Sequence, residues 1–253
     1  MKLQWRESAR DSMARDFVIS RASARDVTGA VWRPESPTPE TPLLLLGHGA
    51  SGDRYQTPNP YLARRGRDAG WAILALDGPV HGQRQVGEGG RTAFAQEMRR
   101  PAFLDEMVED WEVALGTLRA EAEIGAGRLA YFGLSMGSIF GVPLLAARTD
   151  VCAAGLGLLG TTGAMAHIAS RLRDDAAKIH VPLVFFMQLE DELFPREGVL
   201  ELFDHLGSPR KTLHANPGRH SALPAHEVDF AFDFVSRHLA GSPARESEGP
   251  VAS

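Results

Sequence analysis

Four consecutive leucines, Leu43 to Leu46, run straight into Gly47. A strand with one wet face alternates apolar and polar side chains, so an unbroken apolar run of strand length reads as a strand covered on both faces. Such strands belong to sheets sandwiched between helices, and the rest of the chain keeps the matching rhythm. Strands are expected over 17–20, 27–33, 43–47, 71–76, 128–134, 153–159, 181–188 and 211–214, the first two as an antiparallel pair. Helices are expected over 61–69, 103–122, 139–147, 197–206 and 224–239. The second of these has Phe103, Met107, Val108, Trp111, Leu115 and Leu118 near helical spacing. Strands alternating with helices imply βαβ units, hence an α/β fold with a mostly parallel central sheet and helices on both faces. No repeat or change of composition divides the chain. Residues 1–240 are therefore expected to form a single α/β domain, and 241–253, small, polar and proline-containing, a disordered tail.

Charge and cysteine usage narrow the partners. The 253 residues carry a formal net charge of −5, without the clustered positive charge that nucleic acid or an anionic membrane surface requires. The N-terminal stretch is polar and lacks the apolar core of a signal peptide, and no apolar run approaches bilayer length. Cys152 is the single cysteine, so no intrachain disulfide can form. It is expected to be a small buried residue in a reducing compartment. A cytoplasmic protein that acts on a small molecule, with no nucleic acid or membrane partner, is the expectation; the sequence leaves the oligomeric state open.

In open α/β sheets the chemistry gathers at the carboxyl ends of the strands. After the strand at 128–134 comes Gly133-Leu134-Ser135-Met136-Gly137, a G-x-S-x-G. A serine in that pattern sits on a sharp strand-to-helix turn and presents its hydroxyl as a nucleophile; the plainer alternative is a helix N-cap. The strand at 43–47 leads into His48-Gly49-Ala50-Ser51-Gly52. A loop in that place supplies one oxyanion donor and the residue after the nucleophile the other, which assigns the Ala50 and Met136 N–H groups. The strand at 181–188 leads into Glu190, Asp191 and Glu192, three acids that compete to orient an imidazole. After the last strand comes His220, on a loop where a base can meet the serine, with a side chain that ordinarily titrates near neutrality. Serine, acid and histidine follow in the chain order typical of this architecture. His48, His81, Asp77 and Asp53 lack the spacing of a metal site, and there is no phosphate-binding glycine loop. No metal and no cofactor are expected.

The segments LLLLGHGASG, WAILALDGPVHGQR, YFGLSMG, MQLEDELFP and PGRH together resemble the α/β-hydrolase superfamily, on its dienelactone-hydrolase and small-esterase side, over about 27–239. The resemblance implies the α/β-hydrolase fold with a minimal cap and a catalytic triad of Ser135, Asp191 and His220. Asp191 is favoured among the three acids because Pro195 follows it at the family's spacing. His48, Gly49 and His81 are implied to border the substrate. Dienelactone hydrolases proper carry cysteine where this chain has Ser135, so the implied activity is that of a serine esterase. A thioesterase or acyltransferase with the same triad, and a catalytically silent binding protein of the same fold, are the alternatives. Only about 20 residues separate the strand ending near Leu159 from the next, so the cover must come from 83–101 or 164–178. So little cover implies a shallow or partly open pocket suited to compact esters.

Overall fold

The computed structural model describes residues 1–241. The tail expected at 241–253 lies, from residue 242 onward, outside the described residues. Nine strands form one mixed sheet: β1 (Lys2–Glu7), β2 (Ala14–Ser20), β3 (Val27–Trp32), β4 (Leu43–Gly47), β5 (Ala72–Leu76), β6 (Leu129–Gly133), β7 (Val151–Gly157), β8 (Leu183–Gln188) and β9 (Lys211–Asn216). Their order across the sheet is β1-β2-β3-β5-β4-β6-β7-β8-β9. Pairing is antiparallel from β1 through β3 to β5 and parallel from there to β9.

The all-leucine strand behaves as its composition demands. Leu43 and Leu45 enter one core layer, and Leu44 and Leu46 enter the other; period-two alternation sends successive side chains to opposite faces, and both faces are dry. On β5, Leu74 and Ile73 divide in the same way. One layer is closed by α3 (Phe103–Ala120), α4 (Met136–Ala147), α5 (Ala169–Ala176) and α6 (Arg196–His205). The other is closed by α1 (Asn59–Asp68) and α7 (Ala225–Leu239). Trp111 is fully buried on α3 and meets Tyr131 of β6 edge to face. Among the described residues no helix is long and apolar enough to cross a membrane.

Three elements depart from the sequence reading. β1 was expected to be irregular polar chain; instead Leu3 and Trp5 alternate with charged residues and pack on the core, with Trp5 edge to face on Phe17. The cover segment 83–101 contains a helix, α2 (Gly90–Glu97), which drives Phe94 into the core. The cover at 164–178 is not one helix but a 3-10 turn, Gly163–Ile168, that runs into α5. Cys152 is half-buried, not buried, because it lies near the start of β7.

Candidate active site

Ser135 occupies a left-handed backbone conformation, φ 56° and ψ −118°, between β6 and α4. Non-glycine residues are rarely held there, and the strain persists only where the surroundings enforce it. They do so here. Ser138 Oγ bridges Gly133 O and Gly157 O, at 2.7 Å from each, and accepts the Gly157 N–H. The Ser135 N–H donates to Gly157 O at 3.0 Å, and Tyr131 Oη donates to Gly137 O at 2.5 Å. A Cβ on Gly137 would come within 3.0 Å of the Gly47 carbonyl, so the elbow and the end of β4 can approach this closely only with glycine present. The helix-cap alternative for the serine fails on geometry, since its side chain makes no cap hydrogen bond.

Beside it, the loops after β8 and β9 bring Asp191 and His220 together. His220 Nε2 is 2.8 Å from Ser135 Oγ, and its Nδ1 is 2.7 Å from Asp191 Oδ2. The other Asp191 oxygen accepts the Leu193 and Phe194 N–H groups at 2.8 and 3.0 Å. These two bonds turn the carboxylate toward the ring, and both side chains are almost wholly buried. Phe194 packs obliquely on the imidazole, with ring centroids 5.6 Å apart.

Ala50 and Met136 both line the cleft in front of Ser135. Neither N–H donates to an acceptor among the described residues, and that of Met136 belongs to the open N-terminal turn of α4, where unsatisfied amides favour negative charge. His48 and Gly49 also line the cleft, but His48 offers no free ring nitrogen. Its Nδ1 donates to Gly49 O, and its Nε2 accepts the Gly78 N–H, each at 2.8 Å. Burial pushes its pKa down to about 4, against the pull of Asp77, so the ring is neutral at physiological pH. Gly49 O belongs to the same peptide unit as the Ala50 N–H. Holding that carbonyl therefore aims the amide the opposite way.

His81 does not border the cleft as the resemblance implied. It lies behind the β4–α1 loop, edge to face with His48, and both its nitrogens face backbone carbonyls: Nδ1 at 2.7 Å from Pro79 O and Nε2 at 3.1 Å from Ala50 O. The Asp77 turn is likewise structural. Asp77 is fully buried and receives the Arg54 guanidinium at 2.5 Å and the Thr28 hydroxyl at 2.7 Å, while Arg54 also binds Asp16. Nothing in the sequence marked Arg54 as the cation that anchors this loop. No group of metal-ligating side chains occurs among the described residues.

The cleft has a volume of about 890 Å³, at the roomy end for a small-molecule site. That is larger than the shallow pocket expected from so small a cover. Both candidate covers contribute: Phe94 and Met98 come from α2 and the turn after it, and Met165 from the 3-10 turn. Leu158 and Ile139 close the floor beside the serine.

Solved structures place this geometry in a family. An esterase described as cold-adapted, from an Arctic intertidal metagenomic library, is 31% identical, with 93% of this chain and 99% of that one covered and a TM-score of 0.80. The chain belongs to the α/β-hydrolase esterases. More distant esterases share the fold: an acetyl xylan esterase from Paenibacillus sp. R4 at 18% identity, covering 94% of this chain and 88% of that one, with a TM-score of 0.69. A Butyrivibrio proteoclasticus protein with ferulic acid bound matches at 16% identity over 85% of this chain and 96% of that one, with a TM-score of 0.60. No family model and no curated protein sequence matches the chain.

Proposed function

We propose that this esterase is a serine carboxylesterase working through an acyl-enzyme on Ser135. The observation that carries the reading is the unbroken hydrogen-bonded line from Ser135 Oγ through both nitrogens of His220 to the buried Asp191. In the first half-reaction Ser135 Oγ attacks the ester carbonyl carbon while its proton passes to His220 Nε2. Asp191 holds the tautomer with hydrogen on Nδ1 and stabilises the imidazolium that forms. The carbonyl oxygen takes up the negative charge and receives the Ala50 and Met136 N–H groups, which carry no competing partner. The tetrahedral intermediate collapses, His220 returns the proton to the departing alkoxide, and the alcohol leaves. Water then repeats the sequence on the acyl-serine and releases the acid. The strained backbone at Ser135 keeps the hydroxyl clear of its own helix, so approach to the carbonyl needs no rearrangement.

The walls favour a compact ester. Phe94, Met98, Ile139 and Met165 give an apolar lining, and the polar groups are concentrated at Ser135, His220 and the oxyanion loop. A small-molecule ester is therefore the proposed substrate.

A fluorophosphonate probe tests the reading directly. Stoichiometric labelling of the wild type, absent in Ser135→Ala and slowed by orders of magnitude in His220→Ala, is the expected result. Folded wild-type protein that takes no label would overturn it and favour a silent binding protein.

A further inference from the structure

Three consecutive acids follow β8, and only Asp191 touches the catalytic ring. The other two grip the backbone of the same loop. The Glu190 carboxylate accepts the Gly218 N–H, while the Glu190 N–H donates to Gly218 O at 3.1 Å. Glu192 Oε2 accepts the N–H of His220 itself at 3.0 Å and stands 3.5 Å from Arg219 Nε. Two residues earlier, Gln188 Nε2 donates to Pro217 O at 3.3 Å, and the Leu189 N–H donates to Asn216 O at 2.8 Å. Each residue from Gln188 to Glu192 thus holds a different point of the segment 216–220.

That segment has little other support. Gly218 adopts φ +109°, and Arg219, Ser221 and Ala222 on either side of the histidine are solvent-exposed apart from the ring itself. A base on an exposed loop loses proton-transfer geometry when its backbone drifts, even if its ring keeps its carboxylate partner. We infer that Glu192 is a positioning residue for the base: its carboxylate fixes the backbone N–H of His220, so that one short acidic turn sets both the ring and the main chain of the histidine. The inference rests on His220 being the base of the proposed reaction.

Glu192 is exposed, yet the His220 N–H and the nearby Arg219 hold its carboxyl down at about 2. It therefore accepts that hydrogen bond throughout the working pH range. Its charge also acts on the ring, together with the other groups around His220: Asp191 at Nδ1, Ser135 at Nε2, the Phe194 ring and the Arg219 cation. Removing a negative charge so close disfavours the imidazolium. The acid limb of the rate profile should then move to lower pH by about 0.2 to 0.4 unit after screening.

Glu192→Ala, Glu192→Gln and His220→Ala separate these effects, read as kcat, KM and the pH profile of kcat/KM on a soluble p-nitrophenyl ester. Glu192→Ala should lower kcat on the order of tenfold or more with KM little changed, the signature of a misplaced base. Glu192→Gln retains an acceptor oxygen and should restore most of kcat, yet show the same shift of the acid limb as the alanine variant, because both lack the charge. Wild-type kcat and an unmoved acid limb in Glu192→Ala overturn the inference; so does a glutamine variant as slow as the alanine one. Circular dichroism and melting temperature identify a variant that has lost its fold, and the glutamine variant then decides alone through its pH profile. Near-wild-type activity in His220→Ala would instead refute the assignment of the base, an outcome separate from any result at Glu192.

Discussion

Acid should weaken this protein through His48 before it reaches the carboxylates. The ring is buried between the Gly49 carbonyl and the Gly78 amide, and burial lowers its pKa from the ordinary 6.5 to about 4. In the unfolded chain the imidazole takes up a proton below about pH 6.5; in the folded protein it does not until about pH 4. The unfolded state binds more protons throughout that interval, so the stabilising contribution is complete above 6.5 and is lost as pH falls toward 4. At 1.36 kcal/mol per unit the full interval is worth about 3 kcal/mol, and the step from pH 7 to pH 5 about 2 kcal/mol. Urea denaturation of the wild type and of His48→Gln at both pH values isolates this share, because the other titrating groups are common to the two proteins. The variant should be less stable at pH 7, having lost the ring's bonds, but its stability should fall by about 2 kcal/mol less on acidification. Equal falls in the two proteins would show that His48 titrates in the folded state as it does in water, and the argument from burial would fail. Activity should follow the same route: a proton on Nε2 opposes the Gly78 N–H and releases the peptide that aims the Ala50 amide.

Further outcomes follow from the same geometry. Asp191→Asn should lower kcat on the order of 10⁴-fold while the fold melts near the wild-type temperature, because an amide cannot hold the required tautomer; steady-state kinetics and a thermal scan decide. Arg54→Met should cost about 3 to 5 kcal/mol of stability, since it strands Asp16 and Asp77 as buried charges without their cation; a loss under 1 kcal/mol in urea would contradict this. Across p-nitrophenyl esters, kcat/KM should rise from C2 to about C4 with roughly 0.8 kcal/mol per buried methylene, then fall for C12 to C16. A preference for the long chains would mean that α2 and the 3-10 turn build a deeper channel than their size suggests.

What was legible in the sequence was whatever a few neighbouring residues settle among themselves. Leu43 to Leu46 can lie only where both faces of a strand are covered, and they do. Gly133 and Gly137 around Ser135 announce a backbone turn too tight for side chains, and helix α4 starts directly after the serine, three residues before the apolar pattern resumes at Ile139. What was not legible depends on where distant segments land. β1 carries only Leu3 and Trp5 among charges, so it exists because β2 offers an edge and Phe17 a partner. α2 follows glycines that by themselves signal a loop, and it is helical because Phe94 finds a seat against Phe140 and His81. His81 has the residue type of a site group, but only the folded loop reveals that two carbonyls already face its nitrogens. The choice among three adjacent acids shows the limit most clearly. Glu190, Asp191 and Glu192 have the same chemistry, and all three reach the loop of His220. They differ because the N–H groups of Leu193 and Phe194 capture one oxygen of Asp191 and turn the other inward to the ring, leaving its neighbours directed at main-chain amides. Spacing along the chain can nominate such a turn. Only the direction of two backbone amides assigns the carboxylate.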